Sequence, residues 1–241
     1  MPQNVPEFQF SEEALKLRQF LYEYWCEHGR GPNLRAAHEA TRLSREQLID
    51  AYRQLDLGVI CVIDQASQNA SLLKLQPFSS YPSQVEVYVD DRFRAYAGCA
   101  MESIALSRMP PLAGKRVRLE SYCACCLAPV TVLTQDGEVL SRTPESVLIH
   151  VSTSPRDWNT VNIVAMCDSM NYVHGAEHAL AYEKKIGRRG VLFTLDQARR
   201  FVADTAKNRM WHYDWPPVQV RPERIIAGIR ALGVDVGNWG E

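Results

Sequence analysis

The sequence has little excess charge of either sign and no long apolar run. Its 241 residues include 27 Lys and Arg against 28 Asp and Glu, which gives a formal net charge of -1 at pH 7. Attraction to nucleic acid or to an anionic membrane depends on a basic surface, so neither partner is expected. No apolar stretch approaches the roughly 20 residues that cross a bilayer. The composition therefore predicts a soluble globular chain.

An export signal and an even set of cysteines are also lacking. Residues 1–7 contain no basic run followed by an apolar core, so no signal peptide is predicted. The chain has seven cysteines, an odd number, spread along its length. Such cysteines are expected to be reduced thiols and not a disulfide framework. We therefore expect a cytoplasmic protein.

The first eighty residues predict a small helical module. Helices are expected to begin near Ser11, Leu34 and Ser44, and both serines are suitable N-cap residues. Two short strands are predicted over residues 57–63 and 71–75, around a polar turn. Three helices followed by a hairpin are the pattern of a winged helix.

DNA binding by this module would require a basic exposed face on its third helix. That helix mixes basic with acidic residues, and their charges nearly cancel: Arg45, Arg53, Glu46, Asp50 and Asp56. Because non-specific affinity for DNA depends on phosphate neutralisation, DNA binding is disfavoured. We expect a structural lobe that packs against the rest of the chain.

A strand–turn–strand–helix unit follows this lobe. Alternating valines predict a strand over residues 85–89, Asp90-Asp91 predicts a turn, and residues 93–97 predict the return strand. Gly98 interrupts the alternation. Helical spacing is then predicted over residues 99–109, where a proline pair ends the element.

The helix predicted after this hairpin carries a thiol and a carboxylate. Cys99 lies at its N-terminus, and Glu102 follows one turn later on the same face. Unpaired backbone N–H groups and the positive end of the helix dipole favour a thiolate at such a position. The local pattern therefore indicates thiol chemistry next to a carboxyl group.

Four segments of the middle of the chain match a known pattern: Tyr96-Ala97-Gly98-Cys99-Ala100-Met101-Glu102, Pro110 to Arg118, Ser121-Tyr122-Cys123 and Ala128-Pro129-Val130. They resemble the core of the alkylmercury lyases, or organomercurial lyases, in which the first segment reads Tyr-Ala-x-Cys-Ala-x-Asp. A weaker likeness extends from the N-terminal helices to about Met210. Two departures are evident. The family aspartate is Glu102 here, and the family's second catalytic cysteine, from a Phe-Cys-Cys stretch on a later strand, has no clear counterpart.

The resemblance implies an α+β protein that breaks carbon–mercury bonds. Its fold would be an N-terminal winged-helix-like lobe (1–80), then a catalytic core (81–210) of mostly antiparallel strands with flanking helices. The resemblance stops at Met210, and residues 211–241 are interpreted from their composition as an aromatic-rich C-terminal extension. Cys99 would bind mercury as a thiolate, and Glu102 would donate a proton to the departing carbon. Patterns in the core and extension predict strands over 117–122, 130–134, 139–142, 146–152 and 190–195, and helices over 177–185, 195–210 and 222–232.

The resemblance also implies the ligands. The expected partners are a small organometallic substrate and low-molecular-weight thiols, with mercury(II) as a substrate or product ion and no required cofactor. An exogenous thiol is one source of a second sulfur ligand.

Cys167 is the thiol nearest in sequence to the position expected for the second catalytic cysteine. Residues 161–167 predict a strand, with Cys167 on the face shared by Ile163 and Ala165. If the end of that strand approaches Cys99, both sulfurs would flank one ion, and Cys167 would be a catalytic residue and a metal ligand. If it does not, Cys167 is a core residue, as free cysteines often are.

Three further cysteines, Cys123, Cys125 and Cys126, lie close together. The spacing of Cys123 and Cys126 suits half of a zinc site, but a structural site needs four ligands. The nearest further candidates, His150 and Cys167, do not form a matching pair. We therefore interpret the three cysteines as small buried hydrophobic residues, with capture of a soft metal as the alternative. The resemblance assigns a structural role to Cys123.

His174 and His178 have the spacing of a metal-binding pair on a helix. Gly175 between them predicts a loop before the helix begins. A solvated helix end is therefore expected.

Two other functions stay open. One is a diverged family member that binds a soft metal or catalyses a different thiol-dependent reaction, which the two departures favour. The other is a thiol-based, metal-responsive DNA-binding regulator, against which the charge of the third helix argues. The extension is interpreted as packing, a lid or a dimer contact, and the oligomeric state is left undecided.

Overall fold

The computed structural model describes residues 9–58, 60–158, 163–210 and 222–240. Within these ranges eight α-helices occur: α1 (Glu12–His28), α2 (Leu34–Thr41), α3 (Arg45–Leu57), α4 (Ala100–Ser103), α5 (Ile163–Asp168), α6 (Ala176–Ile186), α7 (Leu195–Met210) and α8 (Pro222–Ala231). The same ranges contain eleven strands: β1 (Cys61–Ile63), β2 (Leu72–Leu75), β3 (Phe78–Ser79), β4 (Val85–Val89), β5 (Arg92–Ala97), β6 (Val117–Tyr122), β7 (Pro129–Gln135), β8 (Glu138–Thr143), β9 (Leu148–Val151), β10 (Met170–Val173) and β11 (Val191–Phe193).

The strands form two sheets. The larger sheet has eight strands in the order β1-β2-β3-β5-β4-β6-β7-β8, and the smaller has three in the order β10-β9-β11. Neighbouring strands in both sheets are antiparallel. The predicted α+β class, with a mostly antiparallel core and helices around it, is confirmed.

The hairpin of β4 and β5 shows how local sequence sets the register of the larger sheet. Asp90 and Asp91 both have positive φ, 49° and 64°, as a tight hairpin turn requires. The strand alternation then buries Val85, Val87 and Val89. Because strand side chains alternate with a period of two, this register also decides which face of the sheet each β5 side chain occupies.

The N-terminal helices begin where their caps were predicted. The Ala14 N–H donates to Oγ of Ser11 at 3.1 Å, which caps α1. Helix α3 begins with a capping box, in which Ser44 and Gln47 exchange side-chain and backbone hydrogen bonds. Each cap pairs backbone N–H groups that a helix leaves without an internal partner.

The lobe packs closely on the large sheet. Trp25 of α1 stacks on Phe78 of β3, with ring centroids 5.6 Å apart and planes 9° apart. Helix α1 ends at Gly29 with φ of 71°, and a Cβ atom there would lie 1.7 Å from the carbonyl oxygen of Arg94. Only glycine permits this approach. The hairpin β1–β2 continues through β3 into the eight-stranded sheet, while the winged-helix description and the proposed domain limits stay predictions.

The helix predicted over residues 99–109 is shorter than expected. Only Ala100–Ser103 is α-helical, and two 3-10 turns follow at Leu106–Arg108 and Pro110–Leu112. The Ser103 hydroxyl donates to the carbonyl of Ala100 at 2.8 Å. Side-chain bonds of this kind compete with the backbone ladder and disfavour continued helix.

The strand predicted over residues 161–167 is wrong. Residues 163–168 form α5, the next strand is β10, and residues 161 and 162 lie outside the described residues. A short apolar run is compatible with a helix or a strand, so contacts with the rest of the chain decide between them. Strand β9 pairs on one side with β10 and on the other with β11, and α5 lies outside this sheet.

The described part of the extension packs into the core. Ile226 and Ile229 of α8 are buried, as are Val234 and Trp239 after it. The aromatic segment 211–217 lies outside the described residues. None of the described helices is both long and apolar enough to cross a bilayer.

Candidate functional site

Cys99 occupies the junction between β5 and α4. Its backbone is extended, with φ of -162° and ψ of 171°, and it caps the short helix. The Glu102 N–H donates to Sγ of Cys99 at 3.3 Å. The preceding Gly98 N–H donates to the carbonyl of Pro77 at 2.6 Å, which holds the end of β5 against the β2–β3 connection. The thiol is therefore placed by backbone contacts on both sides.

Helix α5 brings Cys167 to this junction. Sγ of Cys167 lies 3.9 Å from Oε2 of Glu102. The ligand atoms of Cys99, Glu102 and Cys167 all lie within 4.8 Å of one another. Two metal–sulfur bonds of about 2.3 Å, the length found for zinc thiolates, span up to about 4.6 Å. The two sulfurs are thus close enough to bind one ion, although Cys167 lies on a helix and not on the predicted strand.

The two thiols are buried, whereas Glu102 keeps partial contact with solvent. Cys99 is 0% exposed and Cys167 is 1% exposed. Burial, followed by a hydrogen bond with Cys167 and the negative charge of Glu102, raises the pKa of the Cys99 thiol well above its usual range. The backbone N–H of Glu102 acts in the opposite direction but does not outweigh burial. The thiolate expected from the helix terminus is therefore wrong for the free site, because α4 is short and desolvation dominates.

A sequence model of the alkylmercury lyase family matches residues 78–207, more than half of the chain. The match contains all three residues of this site. The chain belongs to the alkylmercury lyase family. Among solved structures, this family member is similar to the mercury-bound form of MerB2, with 18% identity and a TM-score of 0.67 over 83% of this chain and 93% of that chain. At this identity the structural likeness concerns the fold. No curated protein sequence matches.

Lys74, which the sequence patterns did not identify, is buried near this candidate site. Lys74 is 1% exposed, and its Nζ has no hydrogen-bond acceptor among the described residues. Nζ lies 5.6 Å from the ring centroid of Tyr81. Burial alone would lower the pKa of Lys74, but nearby groups that can carry negative charge raise it: Cys167, Tyr81, Cys99 and Asp168. The one signal in the sequence was a lysine inside the apolar strand Leu72–Leu75.

Strand β10 contributes two more side chains to the surroundings of Cys99, Met170 and Tyr172. Sδ of Met170 lies 3.8 Å from Sγ of Cys99, so a thioether faces the thiol. The hydroxyl of Tyr172 lies 2.9 Å from Oγ of Ser103 and ties β10 to α4. Because β10 was not predicted, its contribution could not be read from sequence.

Gly98 leaves the space in which the three site residues meet. A Cβ atom at this position would lie 3.0 Å from Oε2 of Glu102 and 3.7 Å from Sγ of Cys167. Those distances place residue 98 at the wall of the candidate site formed by Cys99, Glu102 and Cys167. Cys123 and Cys126 form a separate group with His174.

Proposed function

We propose that this protein cleaves the carbon–mercury bond of small organomercurials by protonolysis. The residues assigned to the reaction are Cys99 and Cys167 as sulfur ligands and Glu102 as the proton carrier. The observation that carries the proposal is the meeting of these two thiols and one carboxylate at the β5–α4 junction. Thiolates are the soft ligands that a soft metal prefers, and a carboxyl group provides the acid.

The first step is exchange of mercury onto Cys99. The thiol is protonated in the free site, so bonding to mercury requires its proton to leave. That proton and the leaving ligand of mercury depart together as the conjugate acid, and the carbon stays bound to mercury. The bond to mercury replaces the proton that burial held on the sulfur.

The second step uses Cys167 and Glu102. The carboxylate lies 3.9 Å from Sγ of Cys167 and is placed to accept its proton as that sulfur bonds to mercury. Two sulfur ligands raise the electron density on the metal. The Glu102 carboxyl then delivers its proton to the carbon, the carbon–mercury bond breaks, and the hydrocarbon leaves. Mercury(II) stays between the two sulfurs.

Lys74 supports the charge of this intermediate. Cys99 and Cys167 are among the groups that raise the pKa of Lys74, and its ammonium would stabilise negative charge that develops at the sulfurs as they bond to mercury. Small exogenous thiols are the expected acceptors that remove mercury(II) from the site. Cys167 makes an exogenous thiol unnecessary as the second ligand during cleavage.

The test is hydrocarbon release from a simple organomercurial by purified protein with excess low-molecular-weight thiol. Release by the wild type that is lost in Cys99→Ala and in Cys167→Ala is the expected result. Cys125→Ser, which alters a half-buried thiol outside both groups of candidate ligands, controls for general loss of thiols. Undiminished release by Cys99→Ala contradicts the assignment.

A second outcome of the same assay separates cleavage from capture. The replacement of the family aspartate by Glu102 favours a diverged member that binds mercury without breaking the bond. Stoichiometric mercury binding by the wild type without any hydrocarbon would support that alternative and overturn the lyase proposal.

A further inference from the structure

A second group of metal-binding side chains lies apart from the proposed active site. Sγ of Cys123, Sγ of Cys126 and a ring nitrogen of His174 lie within 4.8 Å of one another. Nδ1 of His178 lies 3.6 Å from Sγ of Cys123. The geometry points to a structural zinc(II) site with these four side chains as ligands. The inference does not depend on the proposed lyase activity.

The four residues form two pairs with the spacing of zinc ligands. Cys123 and Cys126 are separated by two residues, and His174 and His178 by three. Structural zinc sites combine such pairs from two segments of a chain. The sequence shows each pair, but only the fold brings the second pair to the first.

The cysteine pair lies on a closed turn between β6 and β7. The Cys123 N–H donates to the carbonyl of Ala128 at 2.8 Å, and the Leu127 N–H donates to the carbonyl of Cys123 at 2.8 Å. Leu127 has a φ of 62°, in the left-handed region that lets the chain reverse. The turn thereby brings the exposed Cys126 beside the buried Cys123.

The histidine pair lies where β10 passes into α6. Gly175, with φ of 99°, separates the strand from the helix as predicted. The break is only two residues long, His174 and Gly175, so His178 falls in the first turn of α6. The two imidazole ring centroids are 5.6 Å apart. The interpretation of this pair as a solvated helix end therefore missed its contact with the cysteine turn.

The surrounding hydrogen bonds suit metal ligation. Nε2 of His174 lies 3.2 Å from the carbonyl of Pro129 and can act there only as a donor, which leaves Nδ1 with its lone pair. Metal-binding histidines commonly donate their second ring N–H to a carbonyl in this way. The His174 N–H also donates to Sγ of Cys123 at 3.4 Å, which links the end of β10 to the cysteine turn. Lys185 donates to the carbonyl of Cys125 at 2.6 Å and fixes the turn on α6.

Charge and size agree with zinc(II). Two thiolates and two neutral imidazoles balance the double charge of the ion. Zinc–sulfur bonds of about 2.3 Å and zinc–nitrogen bonds of about 2.0 Å place tetrahedral ligand atoms about 3.3–3.8 Å apart. The ligand atoms of Cys123, Cys126 and His174 lie within 4.8 Å of one another, which exceeds this spacing by at most about 1–1.5 Å and can be closed by rotation of the exposed Cys126. Nδ1 of His178 lies 3.6 Å from Sγ of Cys123 but outside that group of three, so its side chain has to rotate toward the other two ligands.

The site would reinforce the contacts between the β6–β7 turn, β10 and α6. Its buried apolar neighbours form a small cluster of Cys123, Val173 and Ala179, separate from the main core. An ion bound here would hold the tip of the β6–β7 hairpin against β10 and α6. Strand β10 is the same strand that places Met170 against Cys99.

The test is zinc(II) binding by the full chain carrying Cys99→Ser and Cys167→Ser, which removes the other sulfur pair. We expect one zinc per chain by mass spectrometry of the metal content, and cobalt(II) substitution with the absorption bands of a tetrahedral thiolate site. Cys126→Ser and His174→Ala, both at side chains that are not fully buried, should weaken zinc binding by about a hundredfold or more, since each removes one of four ligands.

The matched control is Cys125→Ser, because this cysteine lies on the same turn but its thiol is not in the group of candidate ligands. It should keep wild-type zinc affinity, and chelation should lower its melting temperature as in the parent. Circular dichroism establishes that each variant is folded. Absence of zinc binding in folded parent protein, or equal affinity in the parent, Cys126→Ser and His174→Ala, overturns the proposal.

Discussion

Replacing Glu102 by Gln tests the proton path most directly. The change keeps the shape of the side chain and leaves the backbone N–H that donates to Cys99. It removes the group that carries a proton from Cys167 to the carbon. Since general acid–base catalysis contributes about 10²- to 10⁴-fold, we expect the rate of hydrocarbon release to fall by that factor. Mercury binding by the two thiols should persist.

The companion change Glu102→Asp restores the residue of the family pattern but shortens the side chain. The carboxylate oxygen of Glu102 is already 3.9 Å from Sγ of Cys167. Removing one methylene withdraws it by about 1.5 Å, and a misplacement of about 1 Å can cost on the order of a hundredfold in rate. We therefore expect Asp to reduce release by about a hundredfold while keeping its pH dependence.

The assay measures hydrocarbon in the headspace under single-turnover conditions and mercury retained by the protein in the same sample. The reasoning predicts lost release with retained mercury for Glu102→Gln. Release within tenfold of wild type would refute the role of Glu102 as proton carrier. Loss of mercury binding together with release would instead make Glu102 a ligand of the ion.

Two further changes probe the surroundings of the site, and a third probes the buried thiols. Lys74→Leu should lower the rate of hydrocarbon release by about tenfold, because the variant lacks the buried ammonium that stabilises negative charge at the sulfurs. Lys74→Arg should keep release near the wild-type rate, and an undiminished rate in Lys74→Leu would contradict this. Gly98→Ala should fold normally but lower release at least about tenfold, since the new methyl contacts the Glu102 carboxylate, and full activity would count against that contact. Burial raises the pKa of Cys26 to about 12 and those of Cys61 and Cys99 well above their usual range. As the pH rises, the unfolded chain therefore loses these protons before the folded protein does. The free energy of unfolding should be constant below about pH 8 and should fall above it by about 1.4 kcal/mol per pH unit for each thiol. Urea unfolding at several pH values should find a smaller slope in Cys61→Ala.

Features set by neighbouring residues were predictable. The caps at Ser11 and Ser44 and the Asp90-Asp91 turn depend on side-chain and backbone chemistry within a few positions. Strand pairing between β6 and β7 followed from alternation on both sides of a short connection. The placement of Cys99 and Glu102 one turn apart was likewise local.

Features set by distant neighbours were not predictable. Residues 163–168 form α5 although their apolar run also suited a strand, since a short apolar run does not distinguish the two structures. The thiolate predicted for Cys99 was also wrong, because it depends on burial by distant parts of the chain. A helix terminus favours thiolate locally, but complete burial by the surrounding elements costs more than a four-residue helix returns.

The sequence by itself determined the family, the α+β class, the hairpins and the thiol–carboxylate pair at positions 99 and 102. These follow from residue spacing, which acts over one turn or one strand. Tertiary structure alone decided that Cys167 reaches Cys99, that Lys74 is buried beside both, and that two histidines meet the Cys123–Cys126 turn. Such contacts join segments separated by tens of residues, and only the packing of the two sheets brings them within a few ångströms.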